Sequence, residues 1–144
     1  MTPEGPKIVP WRRALLVWLL LLATEFVHGT ARTLLLAPAI GDRPARQVSV
    51  LTGSLLILAI ACLTIRWLRP TSRATVVGIG VLWLGLMLGF ELLFGRLVAG
   101  LSWSRIGADY DPRHGGFLAF GMVVLALSPW VACRLRGCLP PASP

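Results

Sequence analysis

Five ionisable side chains interrupt otherwise apolar stretches of this chain: Glu25, His28 and Arg32 in one stretch, Glu91 and Arg96 in another. A charged residue at the middle of a membrane helix costs on the order of 2.5 to 3.5 kcal/mol on insertion scales, so such residues turn toward a bundle interior or cavity and take partners there. Glu25, His28 and Arg32 stand at i, i+3 and i+7, which brings them onto one helical stripe. Glu91 and Arg96 are five residues apart and point in different directions, so their partners are expected on other helices. Together the five make an intramembrane polar cluster near the outer half of a bundle.

Such a cluster suits three chemistries: relaying protons, holding a small anion or lipid headgroup on the arginines, or binding a divalent metal. Glu25-Phe-Val-His28 has the ExxH spacing with which di-metal carboxylate bundles place two ligands on one helix face. The second glutamate, however, begins Glu91-Leu-Leu-Phe94 and brings no histidine, and nearby arginines compete for the carboxylates. No metal site and no cofactor are expected. The plainer reading is structural, with Glu25 and Glu91 neutralising Arg32 and Arg96 across the bundle and fixing helix register.

A second set of polar residues lies between Gly100 and Gly116: Trp103, Arg105, Asp109, Tyr110, Asp111, Arg113 and His114. Acid, base and hydroxyl types are all present, but no spacing marks a nucleophile and its base, and no catalytic residue is assigned. A charged interfacial loop accounts for them, with Trp103 and Tyr110 suited to the headgroup region. Set over the outer ends of the first and third helices, the loop would form a lid on the glutamate cluster.

The elements that must position these residues follow from composition. Hydrophobic residues make up 56% of the 144 and charged residues 14%, and the mean hydropathy is +0.75. That balance leaves too little polar surface for a globule in water. Each bilayer crossing takes about 20 residues, so four crossings nearly use up the chain and leave no room for a soluble catalytic domain. The expected spans are 14–33, 48–67, 74–98 and 117–132, in one membrane domain with a disordered proline-rich tail at 138–144. Pro38 should halt the first helix, and Ala39 to Gln47 reads as a polar turn. Pro129 falls inside the last span, where local adjustment can absorb the lost donor. Gly85-Leu-Met-Leu-Gly89 is a GxxxG pattern of the kind that lets helices approach closely.

The net charge of +8 comes from 14 basic residues, nearly all arginine, clustered at the ends of apolar runs. A nucleic-acid binder needs a continuous basic face; arginines at helix ends instead meet anionic lipid headgroups. Lys7, Arg12, Arg13, Arg66, Arg69, Arg73, Arg134 and Arg136 fall on one side of the membrane against six arginines on the other, which puts both termini in the cytoplasm. The expected location is a bacterial inner membrane. Arg12 and Arg13 before an apolar run resemble a signal peptide, but no small-residue cleavage site follows and the run continues past Glu25, so this segment reads as a retained anchor. Cys62, Cys133 and Cys138 have neither zinc-site nor disulfide-framework spacing.

The chain also repeats itself. Glu25-Phe-Val-His-Gly29 and Glu91-Leu-Leu-Phe-Gly95 share ExxxG at a separation of 66 residues, and a turn combining Asp, Pro and Arg precedes both the second and the fourth span. An all-α architecture follows, an integral membrane four-helix bundle of two tandem, like-oriented transmembrane hairpins related by a pseudo-twofold axis along the membrane normal. Absence of any catalytic signature favours a non-enzymatic accessory or assembly protein, acting as a homo-oligomer or with a membrane-protein partner. A proton- or ion-coupled carrier using Glu25 and Glu91 is one alternative. A membrane enzyme acting on a lipid-linked substrate is the other, and it requires His28, Asp109, Asp111 and His114 to converge on one cavity.

Overall fold

The structure, a computed structural model, describes residues 11–138. It is helical, without a strand among those residues. Four helical stretches are long and apolar enough to cross a bilayer, 11–40, 42–68, 73–98 and 118–136, making this an integral membrane protein. The tail expected to be disordered lies outside the described residues except for Cys138.

The first stretch runs beyond the expected 14–33. Helix α1 (Trp11–Ala31) passes into a π-helical segment (Arg32–Leu36) and then α2 (Ala37–Ile40), where Pro38 occupies the first turn. Proline has no N–H and crowds the carbonyl four residues back. The π segment shifts the bonding register ahead of it, so the Ala37 N–H donates to the Arg32 carbonyl. Pro38 therefore changes the helix register without halting the chain's helical course.

The expected polar turn at 39–47 shrinks to one residue. Gly41, at φ +92° and ψ 155°, makes the break, in a conformation that a side chain would strain. Helix α3 (Asp42–Leu68) starts immediately, with Pro44 in its first turn, where an N–H would have no intrahelical acceptor. After Arg69 and Pro70, the Ser72 hydroxyl accepts from the Thr75 N–H and caps α4 (Arg73–Leu93), which continues as a second π segment (Phe94–Val98). The polar segment contains a short helix, α5 (Trp103–Tyr110), and a 3-10 turn (Pro112–His114). Helix α6 (Leu118–Arg136) extends about one turn past the expected end. Pro129 frees the Leu125 carbonyl, and the Ser128 hydroxyl donates to it at 2.8 Å.

Helix α3 packs along α6, α4 along α6, and α1 along α3 and, over a shorter length, α4. Where these helices meet near Trp11, the interior is apolar and closed. Leu21, Ile65, Leu68, Ile79, Trp83 and Leu125 are fully buried there, and the Trp83 indole donates to the Ala14 carbonyl at 2.8 Å. At the same end Arg13 and Arg66 donate to the Trp67 and Arg136 carbonyls, the last turns of α3 and α6, where cations also meet the negative end of the helix dipole. Leu51, Leu55, Leu63, Val81, Val123 and Leu127 are exposed on the outer faces, as a lipid solvent requires.

Close helix approach occurs at Gly80, where a Cβ would overlap the Ala126 backbone carbonyl. A Cβ on Gly85 or Gly89 would meet nothing. The GxxxG pattern therefore mediates no close helix contact among the described residues.

Candidate functional site

The end of the molecule away from Trp11 is hollow. A cavity of about 650 Å3 lies between the four long helices and beneath α5. Small residues help make the room: Gly29, Ser49, Gly53, Ser54, Gly116 and Gly121 are among those that line it. Gly53 shows this at atomic scale. A Cβ there would stand 3.2 Å from both carboxylate oxygens of Glu25 and 3.4 Å from His28 Cε1, so the Glu25 head packs directly on the α3 backbone.

Four of the five residues expected in the intramembrane cluster line this cavity: Glu25, His28, Arg32 and Glu91. The first three share a face of the first helical stretch, as their spacing requires, and Glu91 faces them from α4. His28 Nδ1 is 3.8 Å from the Glu25 carboxylate, and Nε2 is 2.8 Å from the Thr52 hydroxyl of α3. The other Glu25 oxygen is buried and has no hydrogen-bond partner. Among the described residues neither glutamate comes within ion-pair distance of Arg32 or Arg96. Arg96 lies elsewhere. It donates to the Leu101 carbonyl at 3.1 Å and stacks over Trp103, which takes Arg96 out of the cluster and leaves Trp103 outside the cavity. The cause is the π segment 94–98, which carries Arg96 round toward the following loop.

The polar segment divides in two. Arg105 and Asp109 project from α5 into the cavity, and Arg46 of α3 bridges Asp109 at 2.6 Å and Asp42 at 2.9 Å. Tyr110 turns inward with its hydroxyl buried and unpartnered, and its pKa is pushed above the ordinary value by burial first, then by the neighbouring negative charges of Glu91 and Asp109. Asp111, Arg113 and His114 lie outside the cavity. Asp111 accepts from the Arg113 backbone N–H at 2.9 Å and pairs with His114 at 2.7 Å, and these contacts hold its carboxyl below the usual range. The four residues that the enzyme reading needs together are thus split, His28 and Asp109 inside, Asp111 and His114 outside.

Comparison of the chain with known protein families, characterised proteins and solved structures found no match. Its function must be argued from its own residues. Among the described residues no group of three or more His, Cys, Asp or Glu side chains is placed to hold a metal ion. Sequence spacing missed two members of the site. Arg46 lies in what reads as a turn, and Gly53 has no charge to draw notice; only the facing helices reveal them.

Proposed function

We propose that this chain works through the cavity, as a small proton- or ion-coupled carrier in which Glu25 and Glu91 are the coupling carboxylates. The observation that carries the reading is that both glutamates face one cavity and, among the described residues, neither comes within ion-pair distance of an arginine. An unpaired carboxylate oxygen withdrawn from water is costly, and a proton, a cation or a ligand's donor meets that cost. His28, bonded on one side to Thr52 and near Glu25 on the other, stands where a proton could pass between Glu25 and the cavity. An accessory or assembly role has less support, since among the described residues the glutamate–arginine pairs that would set packing or docking do not form. The dispersal of Asp111 and His114 weighs equally against a lipid-processing enzyme.

The architecture behind this reading is a four-helix bundle of two like-oriented hairpins, α1 with α3 and α4 with α6. Packing of α3 on α6 and of α1 on α4 supports it, and so does the delivery of one glutamate to the cavity by the first helix of each half. Both termini face the cytoplasm of a bacterial inner membrane in this arrangement, with the arginines at that end against anionic headgroups and the cavity in the outer half. Four helices enclose little space, so a homo-oligomer or a membrane-protein partner completes the working unit.

The test uses reconstituted full-length protein. A hydrophobic carbodiimide, which couples to protonated carboxyls inside membranes, should modify Glu25 or Glu91 increasingly as pH falls, and an imposed pH gradient should dissipate faster than in empty vesicles. Glu25→Gln and Glu91→Gln should each remove modification at their own site and slow the dissipation. No modification at either residue, with dissipation equal to that of empty vesicles at every pH, would rule the reading out.

A further inference from the structure

The charges lining the cavity point to the kind of ligand it takes. Three are acidic, Glu25, Glu91 and Asp109, and three are basic, Arg32, Arg46 and Arg105. Arg46 and Asp109 satisfy each other. Two carboxylates and two guanidiniums remain, Glu25 with the His28 imidazole 3.8 Å away, and among the described residues neither arginine side chain makes a hydrogen bond or an ion pair. Free groups of both signs that face one space without touching suit a ligand carrying both charges. A simple anion would leave the glutamates unmatched, and a simple cation would leave the arginines so.

The wall of the cavity adds a second property. Phe26 and Leu34 line it and are 57% and 68% exposed, so on this side it opens onto the surface that lipid covers. Phe26 of α1 meets Phe94, just past α4, edge to face at 6.4 Å, and Phe94 stacks on Phe90 at 5.4 Å. The Phe26–Phe94 contact joins the first and third membrane stretches here without a polar bond to break, and an alkyl chain could part it and take its place.

We propose that the ligand is a zwitterion joining a primary ammonium to a phosphate, with the ammonium donating to Glu25 and Glu91, the phosphate held by Arg32 and Arg105, and a lipid tail leaving through the Phe26–Phe94 seam. This rests on the cavity being the working site. A primary ammonium brings three donors to two carboxylates, whereas a quaternary ammonium brings none. Arginine provides the fork that phosphate oxygens accept.

Native mass spectrometry of the full-length protein, equilibrated with equal phosphatidylethanolamine, phosphatidylcholine and phosphatidylglycerol, tests the chemistry without any variant. Phosphatidylethanolamine should be retained over each of the others by about tenfold, the size of one charge-assisted contact. Glu25→Gln and Glu91→Gln should erase its margin over phosphatidylglycerol, and Arg105→Gln, on a short helix outside the spans, should lower retention of all three. A parallel arm offers O-phosphoethanolamine alone. Its binding at comparable affinity would assign the zwitterion to a free solute, and its failure to bind, with the lipid preference intact, would assign it to a lipid. Equal retention of the three lipids, or a preference for phosphatidylglycerol, together with no binding of O-phosphoethanolamine, overturns the proposal. Carbodiimide modification of Glu25 or Glu91 that persists in that event would leave the carrier reading standing and remove only its ligand.

Discussion

At the scale of single residues, the site depends on a glycine. A Cβ at position 53 would crowd both Glu25 carboxylate oxygens at 3.2 Å, so the carboxylate would have to give by a few tenths of an ångström. Gly53→Ala should therefore shift the Glu25 head against α3 and change its surroundings. Stability should change little, because alanine gains up to about 1 kcal/mol of helix propensity, which offsets the crowding. Carbodiimide modification of Glu25 should change at least severalfold while thermal unfolding in detergent stays nearly constant. Equal reactivity in the variant and the parent would show that the carboxylate does not rest on Gly53. Arg96 teaches the opposite lesson about spacing. Its five-residue offset from Glu91 did place it in another direction, but toward a carbonyl and Trp103, with no acid involved.

Among the elements, the helices owe their course to how backbone groups are satisfied around proline and glycine. Pro38 is tolerated by a register shift, Pro44 by its place in a first turn, and Pro129 by the hydroxyl of Ser128. None of these ends a helix. Helix contact depends on Gly80, and Gly80→Ala should destabilise the protein by about 1 to 3 kcal/mol through overpacking against Ala126. Gly85→Ala and Gly89→Ala, whose Cβ atoms would meet open space, should leave the monomer's unfolding unchanged or slightly raised. Denaturation of the three variants in one detergent makes the comparison, and equal losses at Gly80 and Gly85 would contradict it. If Gly85 or Gly89 lowers the oligomeric mass instead, the GxxxG face serves a second copy of the chain.

The whole molecule is asymmetric along its long direction, apolar and tightly packed at one end, hollow and charged at the other. Arginines gather at the packed end, two of them, Arg13 and Arg66, capping helix carboxyl ends, and under the proposed orientation the same residues would face the cytoplasm. A reporter fused to either terminus should accordingly be active only in its cytoplasmic form, and activity of the external form at either end would invert the topology and place the cavity on the inner side.

Residue order by itself determined the membrane character, the four spans and the shared stripe of Glu25, His28 and Arg32. Hydropathy and helical period are local properties, and a run of about 20 apolar residues has few other ways to bury its backbone. Only the tertiary structure decided which charges meet. Whether Glu91 faces Glu25, whether Arg46 reaches Asp109 and where Arg96 goes depend on how helices rotate against one another and on small register shifts in two π segments. The cavity is likewise a property of the assembly. Gly53, Ser49 and Gly116 are unremarkable one at a time, and they become part of a site only where the fold brings them to line one cavity.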